Sequence, residues 1–228
     1  MRKPRDGRSK DELIRVPCLD RPWYRYAHKL LYAVEPGEDG RALDVGCGAG
    51  EFLSILAREG LRAEGVEGNP LQVEELKRAG MPVRVVDLEE GLPLEDSSFI
   101  MLVTCLEVIE HIARAEFLLR EIHRVLEPSG WLLLSTPNFS FLNNRFHYLF
   151  GMLPLNEGVH LRHFNPRRLR EVLRQAGFLI SATNSYGVLP GVSTVTTRVF
   201  RRPAVLWRVP SWVEGLLAYD LIYLARKG

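Results

Sequence analysis

The stretch Ala42-Leu-Asp-Val-Gly-Cys-Gly-Ala-Gly-Glu-Phe-Leu53 constrains the fold more than any other part of the chain. An apolar run enters a turn with glycines at 46, 48 and 50 and leaves it in a helical pattern. Residues without Cβ atoms let a backbone turn sharply and approach a ligand at a helix N-terminus. A strand, a glycine turn and a helix in that order suit a nucleotide-like cofactor at the carboxyl end of a parallel strand. Dinucleotide enzymes carry a related turn, G-x-G-x-x-G. Here the spacing is G-x-G-x-G, with Asp44 two positions before the first glycine, and the downstream sequence has to separate the two cases.

Leu61-Arg-Ala-Glu-Gly-Val-Glu67 reads as a second strand ending in an acid. A carboxylate there can accept hydrogen bonds from both hydroxyls of an adenosine ribose, and a solvated surface acid is the alternative. Met81-Pro-Val-Arg-Val-Val-Asp87 reads as a third strand, and Asp87 at its end suits an adenine amino group, with Glu89, Glu90 and Asp96 close by. With Thr104-Cys-Leu-Glu-Val-Ile-Glu-His111 and Trp131-Leu-Leu-Leu-Ser-Thr-Pro-Asn138, these ordered motifs resemble the class I S-adenosylmethionine-dependent methyltransferases. The segments Ala57–Gln72 and Glu107–His111 are more specifically similar to small-substrate enzymes grouped with the ubiquinone-biosynthesis O-methyltransferases.

The resemblance implies a Rossmann-like α/β fold, a seven-stranded, mostly parallel sheet with helices on both faces and the last strand antiparallel. It implies S-adenosylmethionine as cofactor, held by Gly46, Gly48, Gly50, Glu67, Asn69 and Asp87, with Asp44 near the methionine amino group. Leu88 and Leu106 would act through backbone groups or apolar walls, or be ordinary core. Arg25, beside Tyr24, stands where relatives place an arginine on the methionine carboxylate, a pairing guanidinium groups make bidentately; a solvated arginine is the alternative. One departure is Ser98-Phe-Ile-Met-Leu-Val-Thr104, where many relatives begin the fourth strand with Asp.

Apolar periodicity predicts an edge or lid helix over Trp23–Val34, then alternating strands and helices. Strands fall near 41–45, 62–67, 83–86, 100–106, 131–135 and 178–183. Helices fall near 51–58, 70–79, 114–126 and 166–176, and Ala218–Arg226 fits the final strand. The charged segment 1–21 reads as an N-terminal extension, and 22–228 as one methyltransferase domain. An aromatic segment from Phe139 to Pro154 is longer than an ordinary connection and predicts a substrate cap near 139–164.

Glu107, Glu110 and His111 form an E-x-x-E-H run just beyond the fourth strand. Two carboxylates and an imidazole suit Mg²⁺ or Mn²⁺, with His160 or His163 as a fourth ligand. The resemblance also includes metal-free enzymes in which the Glu-His pair orients substrate or holds the loop, and that reading is preferred. Methyl transfer from a sulfonium is an in-line displacement, so alignment in a desolvated pocket is the main task. A hydroxyl acceptor must also lose its proton, and His111, then His163, are the candidate general bases, a structural histidine being the alternative at both.

A formal net charge of +2 gives no case for a dedicated polyanion binder. Three scattered cysteines indicate neither a disulfide framework nor a zinc site and suit a reducing compartment. Without a secretory pattern at the N-terminus or an apolar run near the ~18 residues of a membrane span, a cytoplasmic enzyme is expected. Its partner would be a small-molecule methyl acceptor. RNA 2′-O-methylation, aided by Arg198, Arg201, Arg202 and Arg208, and a non-catalytic cofactor-binding relative are the alternatives. A surface-lipid role for Phe146–Phe150 competes with a lid.

Overall fold

The computed structural model describes residues 21–34, 40–96, 100–152, 160–188 and 206–228. The expected extension, apart from Arg21, lies outside them, as do Ser98, Phe99, part of the cap, and Arg198, Arg201 and Arg202.

Helix α1 (Pro22–Leu31) precedes β1 (Arg41–Val45), whose last four residues are all buried, as a central parallel strand requires. Gly50 takes a left-handed conformation and opens α2 (Glu51–Arg58). After β2 (Arg62–Glu67), Asn69 caps α3 (Pro70–Arg78) by accepting from the Leu71 N–H at 3.0 Å, and Pro70 supplies the preset first helical φ. Then come β3 (Val83–Val85), β4 (Ile100–Leu106), buried throughout, and a short 3₁₀ turn at Ile109–His111. Helix α4 (Ala115–Val125) buries Leu118, Leu119, Ile122 and Val125, one helical stripe, and β5 (Leu126–Pro137) follows directly. The described cap contributes α5 (Leu142–Leu149), which has no buried residue. Asn165 caps α6 (Pro166–Gln175), and β6 (Phe178–Thr183), β7 (Tyr186–Val188), β8 (Leu206–Arg208), α7 (Glu214–Leu217) and β9 (Asp220–Lys227) complete the described chain.

The strands form one sheet in the order β3-β2-β1-β4-β5-β9-β7-β8, with β6 also paired to β9. The β1, β2, β3, β4 and β5 pairings are parallel, whereas β9 runs antiparallel to β5 and β6. The expected seven strands are present, and the short strands β7 and β8 extend the sheet to nine. Alternate side chains divide the core into two layers. Leu43, Val45, Val103 and Leu132 pack with α4 and α6, while Ala42, Leu102 and Leu133 pack with α1, α2 and α3. Successive strands are added on one side of β1 up to β3 and on the other from β4 onward, so a crevice opens at the carboxyl ends of β1 and β4, the usual ligand position in such sheets.

Candidate active site

The glycine turn sits at that crevice. The Gly46 and Cys47 N–H groups donate to the Val66 carbonyl at 2.8 and 3.1 Å, stitching the turn to β2. Gly46 has φ +67°, and a Cβ on it would lie 2.5 Å from Val108 Cγ2, so the turn tolerates no side chain there. Gly48, at φ +52°, differs: a Cβ would point into open space with nothing within 4 Å. One glycine is needed for packing and the other keeps a cradle clear.

Acids surround the cradle. Glu67 Oε2 accepts from the Gly48 N–H and Oε1 from the Asn69 N–H, both at 3.0 Å. Each oxygen retains a lone pair for a ligand hydroxyl. Asn69 spends its side chain on the α3 cap. Asp87 is exposed just past β3, its Oδ1 accepting from the Glu89 N–H at 2.9 Å. Asp44 is buried between β1 and β4, and Thr104 Oγ1 donates to its Oδ1 at 2.6 Å. Its Oδ2 is buried without a hydrogen-bond partner. Burial pushes the Asp44 carboxyl up to about 7, against the Thr104 hydrogen bond. Leu88 and Leu106 are core residues on opposite layers. On α1, Tyr24 faces inward, its ring centroid 5.4 Å from that of Phe52, whereas Arg25 is exposed. Burial and then the Asp44 charge push the Tyr24 phenol well up.

A second group of carboxyls lies across the crevice. Glu107 has φ +57°, a left-handed backbone that strains any residue with a Cβ. Ser135 Oγ donates to its Oε1 at 2.6 Å. Burial, then Asp220 and Glu110, hold the Glu107 carboxyl well above the usual range. Glu110 is buried, Thr136 Oγ1 donates to its Oε2 at 3.0 Å, and Oε1 has no hydrogen-bond partner. Its carboxyl is pushed up to about 7 by burial, as is that of Asp220, to which the Tyr186 hydroxyl donates. Among the described residues, no arginine or lysine ion-pairs with any of the three.

Glu110 opens onto a concavity of about 410 Å³, its solvent mouth included, bounded by Pro137, Phe139, Phe141, Phe164 and Tyr219 with Asn144, His160, Arg162 and His163. Phe139, Phe141 and Asn144, from the aromatic segment, are among its lining residues. His111 is half-exposed, its Nε2 3.8 Å from Glu110 Oε1, and its ring centroid is 5.0 Å from that of His160. Ligand atoms of Glu110, His111 and His160 lie within 4.8 Å of one another. Glu107 is not in this group; His160, one of the two histidines considered as a fourth ligand, stands beside Glu110 and His111. His163 instead stacks on Phe139 with centroids 4.0 Å apart. Asp220, Tyr186, Thr104 and Tyr219 were not legible as site residues; a polar Tyr219-Asp220 pair opening an apolar strand is the one signal that marks two of them.

The methyltransferase-domain family model matches residues 19–182, and the chain belongs to that family. With the family and fold goes the cofactor, so the protein is an S-adenosylmethionine-dependent methyltransferase. The bare Asp44 oxygen, the open space at Gly48 and the spare lone pairs of Glu67 fit a group carrying an amine and ribose hydroxyls. The chain is 29% identical over 161 residues to the ubiquinone biosynthesis O-methyltransferase of Chromobacterium violaceum, covering 66% of this chain and 69% of that one. To the enzyme of the same name from Paracidovorax citrulli it is 31% identical over 153 residues, covering 62% and 64%. A solved structure from Thermotoga maritima, described as a possible histamine N-methyltransferase, superposes with TM-score 0.66 at 19% identity, covering 96% of each chain. A methyltransferase from Archaeoglobus fulgidus gives 0.64 at 19% identity, covering 96% of this chain and 100% of that one. At such identity these two establish the fold.

Proposed function

We propose that the protein methylates a hydroxyl group on a small, flat, apolar acceptor held under the cap. The observation that carries this is the cavity itself, aromatic on several sides and floored by a buried Glu110 oxygen without a hydrogen-bond partner. An acceptor hydroxyl would satisfy that oxygen, which fixes its orientation. The names of the similar ubiquinone-biosynthesis enzymes support an oxygen acceptor. S-adenosylmethionine supplies an activated methyl group on a sulfonium. The chain's own work is to hold the two partners: Gly48 and Glu67 on the cofactor side, Glu110 and the Phe139–His163 stack on the acceptor side. His111 takes the hydroxyl proton on an imidazole nitrogen and, half-exposed, passes it to water. Two free, buried thiols, Cys47 and Cys105, support a reducing, cytoplasmic setting.

The Glu110–His111–His160 grouping favours a second reading, in which Mg²⁺ or Mn²⁺ bound there lowers the hydroxyl's pKa. An acceptor panel assayed with chelator and with added metal separates the two. Activity that survives chelation leaves His111 as the base, and loss restored by Mn²⁺ assigns the metal. In either case Glu110→Gln should cut turnover by about a hundredfold while leaving S-adenosylhomocysteine affinity unchanged. Full turnover in that variant would sink the acceptor-site assignment.

A further inference from the structure

Helix α5 does two things with its two ends. Its start faces the cavity, which the preceding Phe141 and Asn144 line; Arg145 Nε donates to the Ser140 carbonyl at 2.8 Å, and in the last turn Tyr148 packs on Phe139 with ring centroids 5.3 Å apart. The helix is thereby seated. Its far end and the residues just past it leave Phe146, Leu149, Phe150 and Met152 at 51%, 74%, 72% and 50% exposure. Phe146, Leu149 and Phe150 stand at i, i+3 and i+4 and share one helix face. Exposed apolar side chains are ordinarily scattered singly, so four within seven residues make a patch.

Charge narrows what covers it. Between Phe139 and Arg170 the sequence holds five arginines against one acid, Glu157, while the whole chain is only +2. Arg162 and Arg168 pair with Glu116, and Arg170 with Glu214. Arg145, adjoining Phe146, and Arg167 are exposed with no acidic partner among the described residues. A second copy of the chain would bring two arginine-rich segments together. One helical turn of apolar side chains is also far below the ~800 Å² per partner of a stable protein interface. Shallow insertion into a bilayer needs only such a turn, with cations beside it.

We propose that this face docks on an anionic lipid surface, with Phe146, Leu149 and Phe150 inserted and Arg145 against the headgroups. The same helix borders the acceptor cavity, so an apolar acceptor would reach the site from the lipid phase. The docking stands apart from the hydroxyl-acceptor reading and is tested without turnover.

The full chain would be sedimented with vesicles of phosphatidylglycerol mixed into phosphatidylcholine, and with phosphatidylcholine alone. A triple variant, Phe146→Ser with Leu149→Ser and Phe150→Ser, removes only exposed side chains. Circular dichroism and S-adenosylhomocysteine calorimetry check that it folds and keeps its cofactor site. The expected result is binding to the anionic vesicles, weakened about tenfold or more in the triple variant and reduced in Arg145→Glu. No sedimentation, equal binding to phosphatidylcholine alone, or binding unchanged in the triple variant would overturn the proposal. So would self-association abolished by the same substitutions without vesicle binding. Normal S-adenosylhomocysteine binding beside any of these would leave the enzyme assignment intact.

Discussion

Asp44 has one carboxylate oxygen bonded to Thr104 and the other bare, and its folded pKa of about 7 lies above the ordinary value near 4. Between those two values the folded chain holds a proton that the unfolded chain gives up. Stability from this group is therefore full below pH 4 and falls as pH rises through about 7. Asp44→Asn keeps an acceptor for Thr104 and removes the charge. Its stability advantage over the parent should be small at pH 4 and grow to at most about 4 kcal/mol above pH 8, read by urea unfolding at both pH values. A difference that does not change with pH would show that Asp44 stays ionised. The two turn glycines separate in the same way. Gly46→Ala must displace Val108, so it should lower the melting temperature markedly. Gly48→Ala strains only its own φ, about 1 kcal/mol, yet puts a methyl into the cradle. Calorimetry should show S-adenosylhomocysteine affinity down about tenfold or more in a protein that remains folded; parental affinity would place the ligand elsewhere.

Elements show why part of the molecule is legible from residue order. Helix α3 carries its own start signal, Asn69-Pro70, and α6 has Asn165-Pro166, so both begin where local chemistry says they must. Asn69→Ala removes the Leu71 cap at a cost of about 1 kcal/mol, measurable by chemical unfolding. No loss would mean Glu67, bonded to the Asn69 N–H, holds that corner alone. The residues proposed for the cofactor are readable for the same reason: Gly48, Glu67 and Asn69 lie within one strand-turn-helix unit. The buried carboxyl pairs across the crevice are not. Tyr186 and Asp220 are 34 residues apart, and Glu107 meets Ser135 across 28. No local pattern encodes such pairs; they exist only after β4, β5, β7 and β9 are aligned. His160 and His163 show the limit most directly: three residues apart, one joins Glu110 and His111 while the other stacks on Phe139.

At the scale of the whole molecule, the cradle proposed for the cofactor lies at the ends of β1, β2 and β4 together, so a ligand there should stabilise all three at once. S-adenosylhomocysteine at about a hundred times its dissociation constant should add about 2.7 kcal/mol, seen as a raised melting temperature. An unchanged melting temperature would count against the cradle. The sheet itself carries a consequence in time. Strand β9 bonds to both β5 and β6 and brings Asp220 to the Tyr186 hydroxyl, yet it is the last of these elements to be synthesised. While residues 220–227 are still within the ribosome, β5 and β6 each present an open edge with no strand between them. A nascent chain therefore carries two sticky, unpaired edges until that strand slides in between them.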